Sequence, residues 1–440
     1  MLPVLLSLML AAPVEGATAL TVRPMAAPKP AMRYQLLPEV RELNPGNSVQ
    51  WYLRCFAEQR NFFFSKQGVE ERARYRAMTL AELAKQELKT YGGSALTQAD
   101  WGARLETPDW DVLAKVQTDG FEFRMAELEG LRVLAISLQV RLRGAIARED
   151  YDGAIRTAKT MFAFARHLGD CPALAANLLG FEVATLALDS LEELIQQPHA
   201  PNLYWAFADL PTPLVHLRKG LQGERMRIDT ELASIRADDA MSNEQLEEFV
   251  AKLSGRIGFV REQAGRPPKN VRAAIRSRVD DRERAARIRT RLLKDAPSDG
   301  VAEKLSALKI LAFPPLQLIL LDERSAFETR RDDALKLLSL TPFQIDAILK
   351  DEPKSADGLF DDFLPVVVDH RRTQARLEQR IALLRCVESI RHHGTFPEKP
   401  EALALPLPVD PFTGKPFGYD VSDKAVVVRG AGKSYEVRFK

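Results

Sequence analysis

The stretch Leu128-Glu129-Gly130-Leu131-Arg132-Val133-Leu134-Ala135-Ile136-Ser137-Leu138-Gln139-Val140-Arg141-Leu142, with Arg148-Glu149-Asp150-Tyr151-Asp152-Gly153-Ala154-Ile155 after it, decides the fold class. Leu128, Leu131, Leu134, Leu138 and Leu142 recur three and four positions apart and so form one stripe of a helix. The polar turn then delivers a second helix, in which Ile155, Ala158, Phe162, Ala165 and Leu168 keep the same spacing. Gly169-Asp170-Cys171-Pro172 breaks the chain again. Leu174 to Ile195 is apolar over most of its surface, which predicts a central helix. From Ala126 to Pro198, then, the chain reads as antiparallel helices.

The helical period continues outward from this unit, from Ser48 to Ile390, with no comparable stretch alternating with period two. Arg72 to Tyr91 predicts a helix closed by Gly92-Gly93, and Thr107-Pro108-Asp109-Trp110 predicts the start of another, with Thr107 as cap. Pro198, Pro201, Pro211 and Pro213 end and restart helices, with Asn202 placed to cap Leu203 to Ala208. Leu214 to Ile235 reads as a long exposed helix. Leu305 to Leu321 reads as a buried core segment ended by Asp322-Glu323-Arg324, since Lys309 and Pro314-Pro315 leave less than the ~20 residues of a bilayer span. Lys350 to Gly358 is a polar loop.

Composition sets the class. The 440 residues are 46% hydrophobic and 28% charged, an ordinary globular balance. Lys plus Arg (62) nearly equal Asp plus Glu (60), so no overall field draws nucleic acid or anionic lipid. The most basic part, Gly255 to Asp295, includes Arg256, Arg261, Arg276, Arg284 and Arg291. Asp280, Asp281 and Glu283 interrupt it, and beyond Phe259 no aromatics interleave to stack bases, so it reads as a solvated helix face and no nucleic-acid partner is expected.

Leu2 to Val14 has the length of a signal-peptide apolar region, and Ala17-Thr18-Ala19 fits a small-x-small cleavage site. Residues 1–19 are thus expected to be a signal peptide and 20–32, with Pro24, Pro28 and Pro30, a mobile linker. Export to the periplasm or cell envelope follows, with no transmembrane span after cleavage. Cys55, Cys171 and Cys386 are an odd number without CxxC spacing, and they read as small buried hydrophobes on helices.

At the other end, Leu377, Ile381, Leu384, Val387 and Ile390 place one apolar face on a helix from about Arg371 to His392. Gly394 is its expected left-handed cap, and Leu403 and Leu405 can fold back on the stripe. Asp410-Pro411 predicts a turn in which the carboxylate accepts backbone N–H bonds from Phe412 or Thr413, with Gly414 at positive φ. Three strands, Pro416 to Val421, Ala425 to Arg429 and Ser434 to Phe439, then predict a β-meander, with Phe412, Phe417 and Tyr419 packed on the helix.

Gly394, Phe396, Pro397, Asp410, Pro411, Phe412, Gly414, Pro416, Phe417 and Tyr419 carry a resemblance to the globular body of the type II secretion pseudopilins. It covers the tail alone. No Gly-Phe-Thr-Leu-Ile-Glu prepilin segment and no acidic calcium loop accompany it, so it implies neither filament building nor calcium. The chain as a whole is also similar to large, uncharacterised exported bacterial proteins that join a helical body to this tail, a similarity that implies no activity. The Glu149 to Ala154 turn resembles the gap between the helices of a tetratricopeptide repeat, but the repeat of about 34 residues does not recur.

No HExxH, GxSxG or CxxC occurs, and Gly432-Lys433-Ser434 reads as a hairpin turn rather than a P-loop. His392-His393 at a helix end and Asp369-His370 are the only histidine hints of a site, and neighbours on a helix point about 100° apart. Asp361-Asp362 and Asp322-Glu323 do not converge on a substrate for the same reason. The sequence therefore assigns no catalytic, cofactor-binding or metal residue, and no cofactor. The expected architecture is mainly α: a helical-hairpin body over 33–370, and over 371–440 a helix with a three-stranded antiparallel meander. The expected function is an exported helical scaffold that binds another envelope protein or a peptide. The alternative is an envelope hydrolase with a site assembled between hairpins.

Overall fold

In the computed structural model the described residues are 16–263, 265–266, 270–279, 281–295, 308–351, 358–364 and 366–440. The run Leu2 to Val14 and residues 352–357 of the polar loop lie outside them. A short strand, β1 (Thr18–Val22), leads through irregular chain to β2 (Asn44–Asn47). Helices α1 (Ser48–Glu58), α2 (Arg60–Phe64), α3 (Lys66–Ala77), α4 (Leu80–Leu83) and α5 (Gly93–Gly102) follow. β3 (Leu105–Thr107) pairs in parallel with β2, and α6 (Leu113–Asp119) comes next. The centre is α7 (Leu128–Ala147), α8 (Tyr151–Gly169) and α9 (Leu174–Leu194), as the leucine spacing predicts. The short α10 (Tyr204–Ala208) leads to α11 (Arg218–Leu232). An arm is built from α12 (Asn243–Gln263), α13 (Val271–Val279), α14 (Arg282–Asp295) and α15 (Pro315–Lys336), and α16 (Pro342–Asp351) packs through Ile345 in the central core. Then α17 (Val367–His393) returns to the centre, and β4 (Gly418–Val421), β5 (Val426–Arg429) and β6 (Ser434–Phe439) follow it. The protein is mainly α with a small sheet beside its C-terminal helix.

That sheet has four strands, in the order β1-β6-β5-β4, and not three. β1 runs parallel to β6 from Thr18 opposite Tyr435 to Val22 opposite Phe439. The linker expected over 20–32 is accordingly corrected in part: Leu20 and Val22 are buried, and the chain beyond them is docked. Met25 N–H donates to the Arg391 carbonyl (2.8 Å) and Ala27 N–H to His392 Nδ1 (2.8 Å). A five-residue strand whose partner lies at the far end of the chain has no local signal, and nearby prolines mask what alternation there is.

Two clusters of buried side chains organise the molecule. The larger includes Leu131, Leu138, Phe162, Leu191, Val387, Ile390 and Val437. The stripe of α17, the sheet and α7 to α9 thus share one core, and the boundary expected at 370/371 does not coincide with a break in packing. The second core, with Leu232, Phe249, Ile275, Leu318, Phe327 and Phe360, belongs to the arm. α9 is long and apolar enough to cross a membrane by composition, yet it is mostly buried, as a core helix is.

Local readings fail where a competing cap wins. Gly92, at φ 77°, opens α5 instead of closing a helix from Arg72, because Thr79 starts α4 with a capping box to Glu82. Thr107 ends β3 and starts no helix. Asp322-Glu323-Arg324 lies inside α15, since its acids are held by arginines of α14. Residues 305–307 of the apolar segment lie outside the described residues, and among the rest Leu308 and Leu311 are exposed while Phe313 and Leu318 to Leu320 are buried. In the tail, Gly394 (φ 81°) and Gly414 (φ 66°) take the expected left-handed geometry. Phe417 and Tyr419 pack in the shared core, while Phe412 lies outside it.

Cys55, Cys171 and Cys386 are free and buried, with their thiols pushed up to about 12 by burial. Cys171 sits in the bend after α8 and not on a helix.

The centre also buries His167, whose Nδ1 lies 2.8 Å from Tyr52 Oη. Burial first, then the Arg166 charge, lowers its pKa to about 4. An unfolded histidine takes its proton near pH ~6.5, so between that pH and about 4 the unfolded chain binds more protons. Stability is therefore full above this window and declines as the pH falls through it, by about 3 kcal/mol in all. Urea midpoints measured from pH 7 down to pH 4.5 are expected to fall more steeply for the wild type than for His167→Gln; equal slopes would contradict the assignment.

Candidate functional site

The turn between α7 and α8 is shaped by its own residues. Asp150 caps α8, its Oδ1 accepting the Gly153 N–H at 2.9 Å. A Cβ at position 153 would lie 2.2 Å from Asp150 Oδ2, so a larger residue there would push the capping carboxylate aside. Glu149 takes a left-handed φ of 59°, uncommon for a residue with a side chain. Tyr151 reaches out of the turn and its hydroxyl donates to the Pro198 carbonyl (2.6 Å), which fixes the loop before α10 beside it. Burial, with the Glu149 charge second, raises the Tyr151 hydroxyl above its ordinary value, so it stays a donor.

A third segment closes over these two. Asn202 Nδ2 donates to the Met25 carbonyl (3.1 Å) and the Glu388 carbonyl (2.8 Å), and its Oδ1 caps α10 by accepting the Tyr204 N–H (3.0 Å). Beneath lies a buried ion pair: Arg391 Nη1 donates to both oxygens of Glu388 at 2.8 Å. Arg391 also donates to the carbonyls of Arg23 (3.2 Å), Pro201 (3.5 Å) and Ala200 (3.0 Å). Burial raises the Glu388 carboxyl and Arg391 opposes the shift. This knot ties α17, the loop before α10 and the N-terminal stretch together.

Where the three segments meet, a cleft of about 400 Å³ opens. Its less exposed lining is Met25, Pro28, Tyr34, Tyr151 and Pro201, with the buried amide of Asn202. The exposed lining carries Arg33, Glu149, Asp150, Asp152 and His199. Arg33 lies over the Tyr34 ring, 5.4 Å from its centroid. Among the described residues, the side chains of Glu149, Asp152 and His199 make no hydrogen bond or ion pair. The cleft can therefore bind through charge and rings, and its polar groups are not spent inside the molecule.

The groups singled out in the sequence go elsewhere. His392 Nδ1 accepts the Ala27 N–H, a structural latch, and His393 is exposed. Burial lowers the pKa of His370, and Asp369 lies 4.0 Å from Arg372. Asp361 holds Arg330 (2.7 Å), and Asp362 holds Arg261 (3.0 Å) and Arg266 (3.2 Å). Asp322 pairs with Arg284 (2.9 Å) and Arg291, and Glu323 with Arg284 (2.8 Å). Burial alone would raise Asp322, but these arginines outweigh it and hold the carboxyl below its usual range. The basic stretch thus braces the arm. Asp410 Oδ1 accepts the Phe412 N–H (2.9 Å) as the turn predicts, and its carboxylate also takes Gln379 Nε2 (2.9 Å) and the Ala431 N–H (2.8 Å).

A further cluster was not legible at all. Glu192 Oε1 on α9 accepts from Arg380 Nε (2.7 Å), Lys433 Nζ (3.3 Å) and the Tyr435 hydroxyl, bracing the sheet against the centre. Burial, then the Arg380 charge, lowers Lys433. Among the described residues, no three histidine, cysteine or carboxylate side chains gather as a metal site. Comparison of the chain with protein-family models, curated proteins and solved structures finds no match.

Proposed function

We propose that this protein is an exported, non-catalytic helical scaffold that holds an envelope protein or peptide in the cleft between the Met25 to Tyr34 stretch and the α7–α8 turn. The observation that carries this reading is the cleft's lining, where unpaired polar groups and aromatic rings share one opening. Buried Glu388, Asp410 and His167 are each tied into contacts within the fold, whereas Glu149, Asp152 and His199 stand unpaired at an open, partly aromatic lining. A binding surface needs such open groups. A nucleophile or general base needs a partner that orients it, and these three have none. The apolar run Leu2 to Val14 and the pseudopilin-like tail support placement at the envelope.

The alternative hydrolase would use His199 with Asp152 or Glu149. A photo-cross-linking residue at position 149 of the full chain, with position 287 on the arm as control, separates the two readings. One discrete protein adduct at 149, absent at 287, is expected. Hydrolysis of peptide or cell-wall substrate that is lost in His199→Ala, or no adduct at 149, would overturn the scaffold.

A further inference from the structure

Resting on the scaffold reading, we propose that the cleft takes an extended peptide segment bearing lysine or arginine, its cation among Glu149, Asp150 and Asp152 and its stem against Tyr34 and Tyr151. Charge is the first ground. Three carboxylates face one guanidinium and one imidazole around the opening, and that guanidinium lies over a ring and not against an acid. Several less exposed carboxylates elsewhere meet arginine, as Asp100 does with Arg141 (2.6 Å), Glu193 with Arg143 (2.6 Å) and Asp362 with Arg261 (3.0 Å). Glu149 and Asp152 are left without a cation, and Asp150 spends one oxygen on its cap.

Size and lining are the second ground. A cleft of about 400 Å³ is at the small end of ligand sites, ~300–1,000 Å³, and too small for a helix about 10 Å across. It suits one or two side chains carried on extended backbone. Lysine and arginine lay their stems along apolar surface while the charged head stays at the polar edge, and the cation gains from a tyrosine face. Arg33 on Tyr34 shows a guanidinium already seated on this wall.

The test uses the full chain and two labelled octapeptides, one alternating lysine with alanine and one alternating glutamate with alanine, titrated by fluorescence anisotropy at low salt. The lysine peptide is expected to bind at least about tenfold more tightly, since like charges repel at the carboxylates. Glu149→Gln with Asp152→Asn is expected to abolish most of that preference, and Asp152→Lys to shift it toward the glutamate peptide. Glu149 and Asp152 are exposed, and Asp150 is left in place to keep the cap, so unchanged circular dichroism checks the fold. Equal binding of the two peptides, no binding of either, or a preference that survives the carboxylate changes would overturn the proposal. A cross-linked partner that meets position 149 through an acidic or neutral segment would sink the cationic occupant and leave the scaffold standing; no adduct at 149 would sink the scaffold itself.

Discussion

Replacing Arg391 with methionine is expected to lower stability by about 3–5 kcal/mol, the loss seen when one partner of a buried ion pair is removed. Arg391 is 1% exposed and Glu388 0%, so no water can take over the work of the guanidinium. The variant leaves a buried carboxylate without a counter-charge and three backbone carbonyls, those of Arg23, Ala200 and Pro201, without their donor. Lysine is no substitute, because one ammonium cannot reproduce the fork that reaches Glu388 and the carbonyls together. The second member of the cycle makes the cause identifiable. Glu388→Gln combined with Arg391→Met removes both charges and is expected to recover a good part of the loss, while leaving the deficit of the carbonyls. Urea denaturation of the wild type, the two single variants and the double variant gives the coupling directly. A single variant as stable as the wild type would show that Glu388 has another route to neutrality.

Deleting the chain through Val22 is the second large effect, whereas deleting it through Ala17 is expected to change little. The longer deletion takes away Leu20 and Val22, 1% and 0% exposed, each worth about 1.5–3 kcal/mol of burial. It also strips β6 of its parallel partner along five residues. A loss of about 3–6 kcal/mol is expected, with new self-association, because β6, which carries Tyr435 and Val437, becomes an open edge. Denaturation midpoints and sedimentation of the two truncations measure both effects. A cut after Ala19, where the small-x-small pattern falls, removes Thr18 and Ala19 from the ladder but keeps the two residues that fill the core. Equal stability of the two truncations would mean that β1 contributes no packing.

Legibility followed the range of the interactions. The α7 to α9 centre was readable because leucines at helical spacing announce a buried face without knowledge of the partner. The Leu377 to Ile390 stripe was readable for the same reason, and so was the Asp410 turn, whose first acceptor bond spans two residues. The other partners of Asp410, Gln379 and Ala431, carry no sequence mark. Arg261 meets Asp362 and Arg284 meets Asp322 across long separations, so two members of a largely exposed basic run also brace the arm. The cleft was hidden most completely. Each of its walls, read separately, is a linker, a helix turn or a proline loop, and they become neighbours through the Arg391 knot and the Tyr151 bond to Pro198.

The parallel pairing of β1 with β6 also sets a schedule. On a growing chain, α7, α8 and α9 can assemble from neighbours in sequence soon after they emerge, since contacts between successive helices close quickly. Thr18 to Val22 must wait until Ser434 to Phe439 have been released, because among the described residues those form its ladder partner. A segment made later therefore completes the place of one made well before it. Until then Leu20 and Val22 remain without their core, available to any chaperone or translocation factor that recognises a short apolar strand.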